Sequence, residues 1–260
     1  MASSTILHEN KTYWTGRADG YSKVNQNELR SAQREIWRGE LRAHIERQFP
    51  QREPASVRVL EIGTGPGFFA ILLTELGYAV TAVDLTPAML SEARKNAGAL
   101  AGQITFLEMN AEELSFADNS FDVILSRNLT WNLPHPETAY REWNRVLKPG
   151  GLLLNFDANW YHYLFDDDAR ASFDADRRAS AERGIDDQNV GENFDVMEQI
   201  ARRIPLSRAM RPAWDHKILS AIGMQVQTDR DAWRRVWSAE EKVSFASTPM
   251  FLVRAVHPAG

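Results

Sequence analysis

Leu60-Glu61-Ile62-Gly63-Thr64-Gly65-Pro66-Gly67-Phe68 is the stretch on which the fold turns. Val57 to Ile62 is a short apolar run that reads as a strand, and Phe68 to Leu76 reads as a helix stopped by Gly77. Glycines at every second position between them let the backbone turn sharply and approach a ligand with no side chain in the way. A loop that leaves the carboxyl end of a first strand and feeds a helix N-terminus is where open α/β sheets bind nucleotides. The spacing is G-x-G-x-G. A dinucleotide fingerprint needs its third glycine where Phe68 stands, and Glu61 adds an acid two residues before the first glycine. Asp84, at the end of the next strand, is placed to accept from both ribose hydroxyls, a role that NAD sites share.

Outward from this unit the rhythm continues. Tyr78 to Asp84 is a second strand, and Thr86 caps a helix with Pro87 at its first position running to Asn96. Ile104 to Met109 and Phe121 to Ser126 are the third and fourth strands. Pro136 to Leu147 is a helix stopped by Lys148-Pro149-Gly150-Gly151, and Leu152 to Asp157 is the fifth strand. Strands that alternate with helices and are apolar almost throughout predict a parallel sheet buried on both faces, hence an α/β class. Tyr161 to Met210 breaks the pattern and reads as helices and loops inserted between the fifth and sixth strands. Pro212 to Ile222 is then a helix, and Gln225 to Thr228 and Pro249 to Val256 are the last two strands. Upstream, Ser22 to Phe49 is one helix with Leu29, Ile36, Trp37, Leu41 and Ile45 as its apolar stripe, and Tyr13 to Tyr21 reads as irregular. The expectation is one domain over 1–260: a lid over 1–50, a ligand-binding core over 51–160, a lid insertion over 161–210, and a return to the sheet over 211–260.

The 260 residues carry 30 basic and 35 acidic side chains, a net charge of −5 that offers no basic stripe to a nucleic acid. There is no cysteine, which excludes disulfides, thiolate metal sites and cysteine nucleophiles. Met1 to Lys11 lacks the apolar core of a secretory signal, and no apolar run is long enough for a bilayer; a cytoplasmic protein with no membrane partner is expected.

Several motifs in order carry a resemblance. The glycine loop is followed by Val83-Asp84-Leu85-Thr86-Pro87-Ala88-Met89-Leu90, Asn110-Ala111-Glu112-Glu113-Leu114-Ser115-Phe116, Asn119-Ser120-Phe121-Asp122-Val123-Ile124 and Arg145-Val146-Leu147-Lys148-Pro149-Gly150-Gly151. Together they resemble the class I S-adenosylmethionine-dependent methyltransferases, most closely the ubiquinone/menaquinone-type small-molecule branch, over about Val57 to Asp157. The resemblance implies a Rossmann-like fold with a mostly parallel seven-stranded sheet and helices on both faces. It implies S-adenosylmethionine as cofactor, with Gly63, Thr64, Gly65 and Gly67 packed on its methionine part and Glu61 reaching the ammonium. Asp84 would hold the ribose, Leu85 and Met89 would flank the adenine, and Asn110 and the Ala111 N–H would meet its edge. Asn110 stands where the family commonly has aspartate, which keeps an acceptor oxygen but loses the charge. Arg127 begins the loop that touches the methionine part, and in the Tyr13–Tyr21 segment Arg17 is the candidate for the carboxylate and Tyr21 for a hydroxyl contact.

Methyl transfer from a sulfonium is an in-line displacement from an activated donor, so alignment and exclusion of water matter more than any fixed catalytic residue. A small-molecule acceptor would lie at the carboxyl ends of strands four and five, against Asn128, Trp131, Asn159, Trp160 and Tyr161, with Tyr13 and Trp14 above. Trp131, Trp160 and Tyr161 read equally as packed lid residues or as pocket walls, the latter suited to a planar or cationic acceptor. Asp157 and His162 are the candidate acid–base groups, each with a bland alternative as a loop cap and an exposed lid residue. Asp166-Asp167-Asp168 has no convergent geometry for a cation. Ser126 stands where metal-dependent catechol methyltransferases place an acid, which points to metal-independent chemistry. The nucleophilic atom stays open between nitrogen, oxygen, sulfur and carbon. A macromolecular methyltransferase and a non-catalytic cofactor-binding protein are the alternatives.

Overall fold

A computed structural model describes residues 2–185 and 194–259. Its strands are β1 (Arg58–Ile62), β2 (Ala79–Asp84), β3 (Thr105–Glu108), β4 (Phe121–Arg127), β5 (Leu147–Asp157), β6 (Gln225–Asp229) and β7 (Phe251–Val256). They form one seven-stranded sheet in the order β3-β2-β1-β4-β5-β7-β6. β1 to β5 run parallel, and β7 is antiparallel to both of its neighbours. The expected mostly parallel sheet is therefore present, and β1 and β4 sit at its centre. The order reverses at β1, so the carboxyl ends of β1 and β4 open a crevice at the switch point.

The helices are α1 (Ala2–Arg30), α2 (Gln33–Gln48), α3 (Phe68–Glu75), α4 (Pro87–Ala97), α5 (Pro136–Val146), α6 (Asp167–Glu182), α7 (Phe194–Ala201), α8 (Ala213–Ala221), α9 (Ala232–Val236) and α10 (Ala239–Ser244). They cover both faces of the sheet. One core packs Trp37, Leu41 and Ile45 of α2 and Phe69 and Leu72 of α3 on Val59, Val123 and Leu154; the other packs Tyr140 and Trp143 of α5 on Leu60, Ile124 and Leu153. No helix among the described residues is long and apolar enough to cross a membrane. The insertion between β5 and β6 holds α6 and α7; its residues 186–193 lie outside the described residues.

The N-terminal region differs from the sequence reading in three ways. Tyr13 to Tyr21 is not irregular but part of the long helix α1. The single helix expected over Ser22 to Phe49 is two, because Ser31 ends one and starts the next: its Oγ donates to the Glu28 carbonyl at 2.9 Å and accepts from the Gln33 N–H at 3.2 Å. Ile36 is exposed, since the buried face of α2 follows Gln33, Trp37, Leu41 and Ile45 at four-residue steps. Sequence reading also missed α9 and α10, the latter started by a capping box in which Ser238 and Glu241 each accept from the other's N–H.

Candidate active site

The glycine loop is built by its own backbone. The N–H groups of Gly63 and Thr64 both donate to the Val83 carbonyl, at 2.9 and 3.0 Å, tying the loop to the end of β2. Gly67 sits at φ 91°, and a Cβ there would lie 3.0 Å from that of Ala93, so this glycine lets α3 close on α4. Its place is between the two helices, and it is absent from the walls of the two cavities described below. Asp84 is fixed by two backbone donors, the Gly65 N–H at 2.9 Å and the Thr86 N–H at 2.8 Å. Glu61 is buried and accepts from Thr64 Oγ1 at 2.7 Å and from the Ala70 N–H. Burial pushes its carboxyl up to about 8, with the Thr64 hydroxyl and the Arg127 guanidinium pulling the other way.

A cavity of about 110 Å³ lies against this loop. Glu61, Gly63, Thr64, Gly65, Asp84, Leu85, Met89, Asn110, Ala111, Arg127 and Tyr21 line it together, although they come from six elements and their loops. Asn110 Oδ1 also accepts the Glu112 N–H at 3.0 Å, and the Ala111 carbonyl accepts from Trp143 Nε1 at 2.9 Å, so α5 positions this turn. The roof is α1, through Leu7, Asn10, Lys11, Trp14, Tyr21 and Asn25. The Tyr21 ring lies 3.6 Å from where a Gly65 Cβ would be.

These residues fit the expected cofactor. Two carboxylates, Glu61 and Asp84, line the cavity on either side of the glycine loop, the donor set that an ammonium and a ribose call for. The buried amide oxygens of Asn10 and Asn132, both in the wall, have no protein donor, the kind of acceptor that a ligand amino group satisfies.

Arg127 does more than mark a loop. Its guanidinium pairs bidentately with Glu28 of α1, at 2.7 and 2.9 Å, and lies over the rings of Phe68, Phe69 and Trp37. Burial opposes its charge, but Glu28 overrides this and holds its pKa above the ordinary value. The following residue, Asn128, takes φ 55°, which asparagine tolerates, and its carbonyl accepts Trp131 Nε1 at 2.9 Å.

A second cavity, of about 180 Å³, adjoins the first; Trp14, Tyr21, Arg127 and Asn128 line both. Tyr13, Trp131, Trp160 and Tyr161 wall it. Arg17, the sequence candidate for the cofactor carboxylate, lines this chamber and not the glycine-loop cavity. Sequence reading missed Tyr163, Phe173 and Arg177 from the insertion and Trp237, Glu241 and Phe245 from the β6–β7 connection. The Ser238-Ala239-Glu240-Glu241 capping pattern was the available signal for the last group.

Neither candidate acid–base group lines either cavity. Asp157 is fully buried: its carboxylate accepts the Trp131 N–H at 3.0 Å, the Ala158 N–H at 2.9 Å and Arg211 Nη1 at 2.6 Å. Arg211 also grips Asp215 at 2.9 and 2.7 Å; Tyr140 donates to Asp215 and accepts from Asn155 Nδ2. This network holds Trp131 in the chamber wall, so Asp157 acts through backbone position. His162 places Nδ1 3.4 Å from the Ser207 carbonyl, and the Asn159 side chain bonds the Arg211 backbone at 3.1 and 3.3 Å, which removes it from the expected substrate contacts. Asp166 caps α6 by accepting the Ala169 N–H. Among the described residues no three His, Asp or Glu side chains converge as metal ligands.

Comparison with known proteins agrees with this geometry. Residues 60–155 match the family model described as methyltransferase domain. A Bartonella tribocorum ubiquinone/menaquinone biosynthesis C-methyltransferase is 34% identical over 162 residues, covering 57% of this chain and 59% of that one. A Thermus thermophilus demethylmenaquinone methyltransferase is 38% identical over 104 residues, covering 39% and 47%. The chain thus spans about half the length of the curated relatives it matches. The Haemonchus contortus phosphoethanolamine N-methyltransferase 2, solved with phosphomonomethylethanolamine and S-adenosylhomocysteine, shares the fold with a TM-score of 0.54 at 17% identity, over 83% of this chain and 52% of that one. Ordered motifs, sheet order and family match converge: residues 60–155 carry a methyltransferase domain, similar to those of the class I S-adenosylmethionine-dependent methyltransferases.

Proposed function

We propose that the chain transfers the methyl group of S-adenosylmethionine to a small molecule held in the aromatic chamber, by in-line displacement. The observation that carries this reading is the junction of the two cavities at Trp14, Tyr21, Arg127 and Asn128, which brings a cofactor cradle and an aromatic chamber wall to wall. When bound, the sulfonium supplies an already activated methyl group. The residues of the chain align the partners and exclude water: Glu61 and Asp84 anchor the ammonium and the ribose of the cofactor, and α1 roofs both chambers. Ser126, fully buried at the end of β4, stands where a metal-dependent enzyme would place an acid, so the reaction is read as metal-independent. Incubation with S-adenosylmethionine and a panel of small metabolites, followed by mass spectrometry, tests the reading. A product heavier by one methylene together with S-adenosylhomocysteine is expected; cofactor binding with no methylated product from any small molecule speaks for a macromolecular acceptor or a non-catalytic role.

Glu61 gives this reading a pH signature. Unliganded, its carboxyl titrates near 8 and is mostly protonated at pH 7. A ligand ammonium beside it favours the carboxylate, so binding at pH 7 releases close to one proton. Affinity therefore rises from pH 6 to 8, by up to about tenfold per unit, and levels off above the unliganded value. Calorimetry in buffers of different ionisation enthalpy counts the proton. Glu61→Gln should bind without releasing it; an affinity independent of pH in the unaltered protein would contradict the placement.

We further read α1 as a lid, as the sequence suggested. The glycine-loop cavity is smaller than the roughly 300 Å³ of an ordinary ligand pocket, and α1 forms its roof. Gly16 and Gly20 sit in the middle of α1, where a Cβ would meet nothing within 4 Å. No packing demands them, and each weakens the helix by roughly 0.5–1 kcal/mol relative to alanine. Gly16→Ala with Gly20→Ala is expected to raise stability by about 1–2 kcal/mol and to slow cofactor release. Denaturation together with stopped-flow displacement separates a lid from a fixed roof, for which release is unchanged.

A further inference from the structure

We propose that Asn10 of the roof helix reads the exocyclic amino group of the cofactor's adenine, so that selection of the base and closure of α1 are one event. This deepens the reading of the glycine-loop cavity as the site of S-adenosylmethionine and rests on it.

Asn10 is 4% exposed, lines the cavity and is only half satisfied. Its Nδ2 donates to the Asn132 carbonyl at 2.9 Å, whereas its Oδ1, also buried, meets no donor among the described residues. The main-chain carbonyl fixes which way round the amide sits, because turning it over would set Oδ1 against another acceptor. The end left free is therefore an oxygen. Leaving a buried amide oxygen unpaired costs free energy that a ligand N–H recovers. Asn132 has no such lock. Its Oδ1 is buried and unpaired too, but no hydrogen bond among the described residues holds its side-chain amide, which can turn to suit a donor or an acceptor. Discrimination falls to Asn10.

Neighbouring contacts tether this pair to one end of the cavity. Lys11, the next residue of α1, pairs with Glu108 at the end of β3. Glu112, in the turn that follows β3, accepts the His135 N–H at 2.6 Å, three residues beyond Asn132. Both walls are thus tied to the Asn110–Ala111 turn, where the edge of the base is expected, and not to Glu61. An exocyclic amino group carries two hydrogens. The turn offers one fixed oxygen, Asn110 Oδ1, oriented by the Glu112 N–H at 3.0 Å, and Asn10 offers a second from the roof. A base with a carbonyl in place of the amine presents an acceptor to both, and neither amide can turn over without losing its own bond. Sites built to bond a polar group reject the analogue that lacks it far better than apolar pockets do. The turn belongs to the sheet and stays when α1 lifts. Asn10 belongs to α1, so its contact forms only as the roof closes.

Calorimetry on the full chain tests this with three ligands: S-adenosylhomocysteine, its inosine counterpart, and the analogue whose amino-acid ammonium is replaced by hydrogen. Each is titrated into the unaltered protein and into Asn10→Leu, which keeps the volume and loses the oxygen. The adenine compound is expected to bind about tenfold or more tightly than the inosine compound, and Asn10→Leu to cut that ratio by about fivefold or more. The cut should come from weaker binding of adenine, with inosine binding unchanged or tighter, and should persist in the analogue without the ammonium. If the leucine does not pack, Asn10→Ala removes the same oxygen with a residue that suits a helix, and decides. A roof helix merely dislodged by the substitution weakens both bases alike; that result overturns the proposal, as does an unmoved ratio. A penalty that vanishes without the ammonium puts Asn10 at the other end of the cofactor and overturns it too. Each of these leaves methyl transfer standing, whereas no binding of any of the three by the unaltered protein removes the cofactor reading itself.

Discussion

Replacing Arg211 by methionine is expected to destabilise the protein by about 3–5 kcal/mol and to lower the melting temperature by roughly 6–20 °C. Arg211 is fully buried between two carboxylates, Asp157 at 2.6 Å and Asp215 at 2.7 Å, both also without exposure. Removing the guanidinium leaves two acids in an apolar interior with only hydroxyl and backbone donors, and the cost of those unpaired charges exceeds what the new methionine packing returns. The effect reaches the chamber, because Asp157 also holds the Trp131 N–H. Asp157→Asn keeps the shape and an acceptor oxygen and should cost less than Arg211→Met. Thermal denaturation of both variants is the check. A melting temperature within 2 °C of the unaltered protein for Arg211→Met would show that the network contributes little.

Asp84→Ala is expected to weaken S-adenosylhomocysteine binding by roughly 10–150-fold, about 1.5–3 kcal/mol. Two losses add. The carboxylate no longer accepts from the ligand, and the Gly65 and Thr86 N–H groups lose the acceptor that fixes the glycine loop. Asp84→Asn retains one carbonyl oxygen and should fall between the two. Calorimetry on protein whose melting temperature is little changed distinguishes a lost contact from a lost fold. An unchanged affinity in Asp84→Ala would move the ribose away from β2.

The sheet was legible because its strands are short apolar runs bounded by glycine, proline and acids; Val57 to Asp157 required little tertiary information. The lining of the glycine-loop cavity was legible for the same reason, since Glu61, Gly65 and Asp84 are placed by strand ends whose register the pattern sets. Helix α1 was not. The buried face of α1 is largely polar, with Asn10, Ser22, Asn25 and Glu28 all nearly without exposure, so no apolar period marks it. Its partners lie far along the chain: Asn10 donates to the Asn132 carbonyl, Ser22 meets Asn96, and Glu28 meets Arg127. Gly16 and Gly20 pointed to a loop, and tertiary contacts overrode that propensity.

Asp157 was misread for a related reason. A strand-end carboxylate looks available until its cation is located, and Arg211 lies 54 positions away next to a proline, with nothing nearby to pair the two. The second half of the aromatic chamber comes from α6 and the β6–β7 connection, where single aromatic residues on short elements carry no periodicity.

The central claim is that the cavity beside Gly65 holds a sulfonium nucleoside. Crystals of the protein grown with millimolar S-adenosylhomocysteine test it most directly. The account predicts that molecule lying along Gly63 to Gly65, with its ribose at Asp84 and its amino group toward Glu61. Crystals in which the crevice instead takes NAD, or in which S-adenosylhomocysteine is absent from it, would contradict the account.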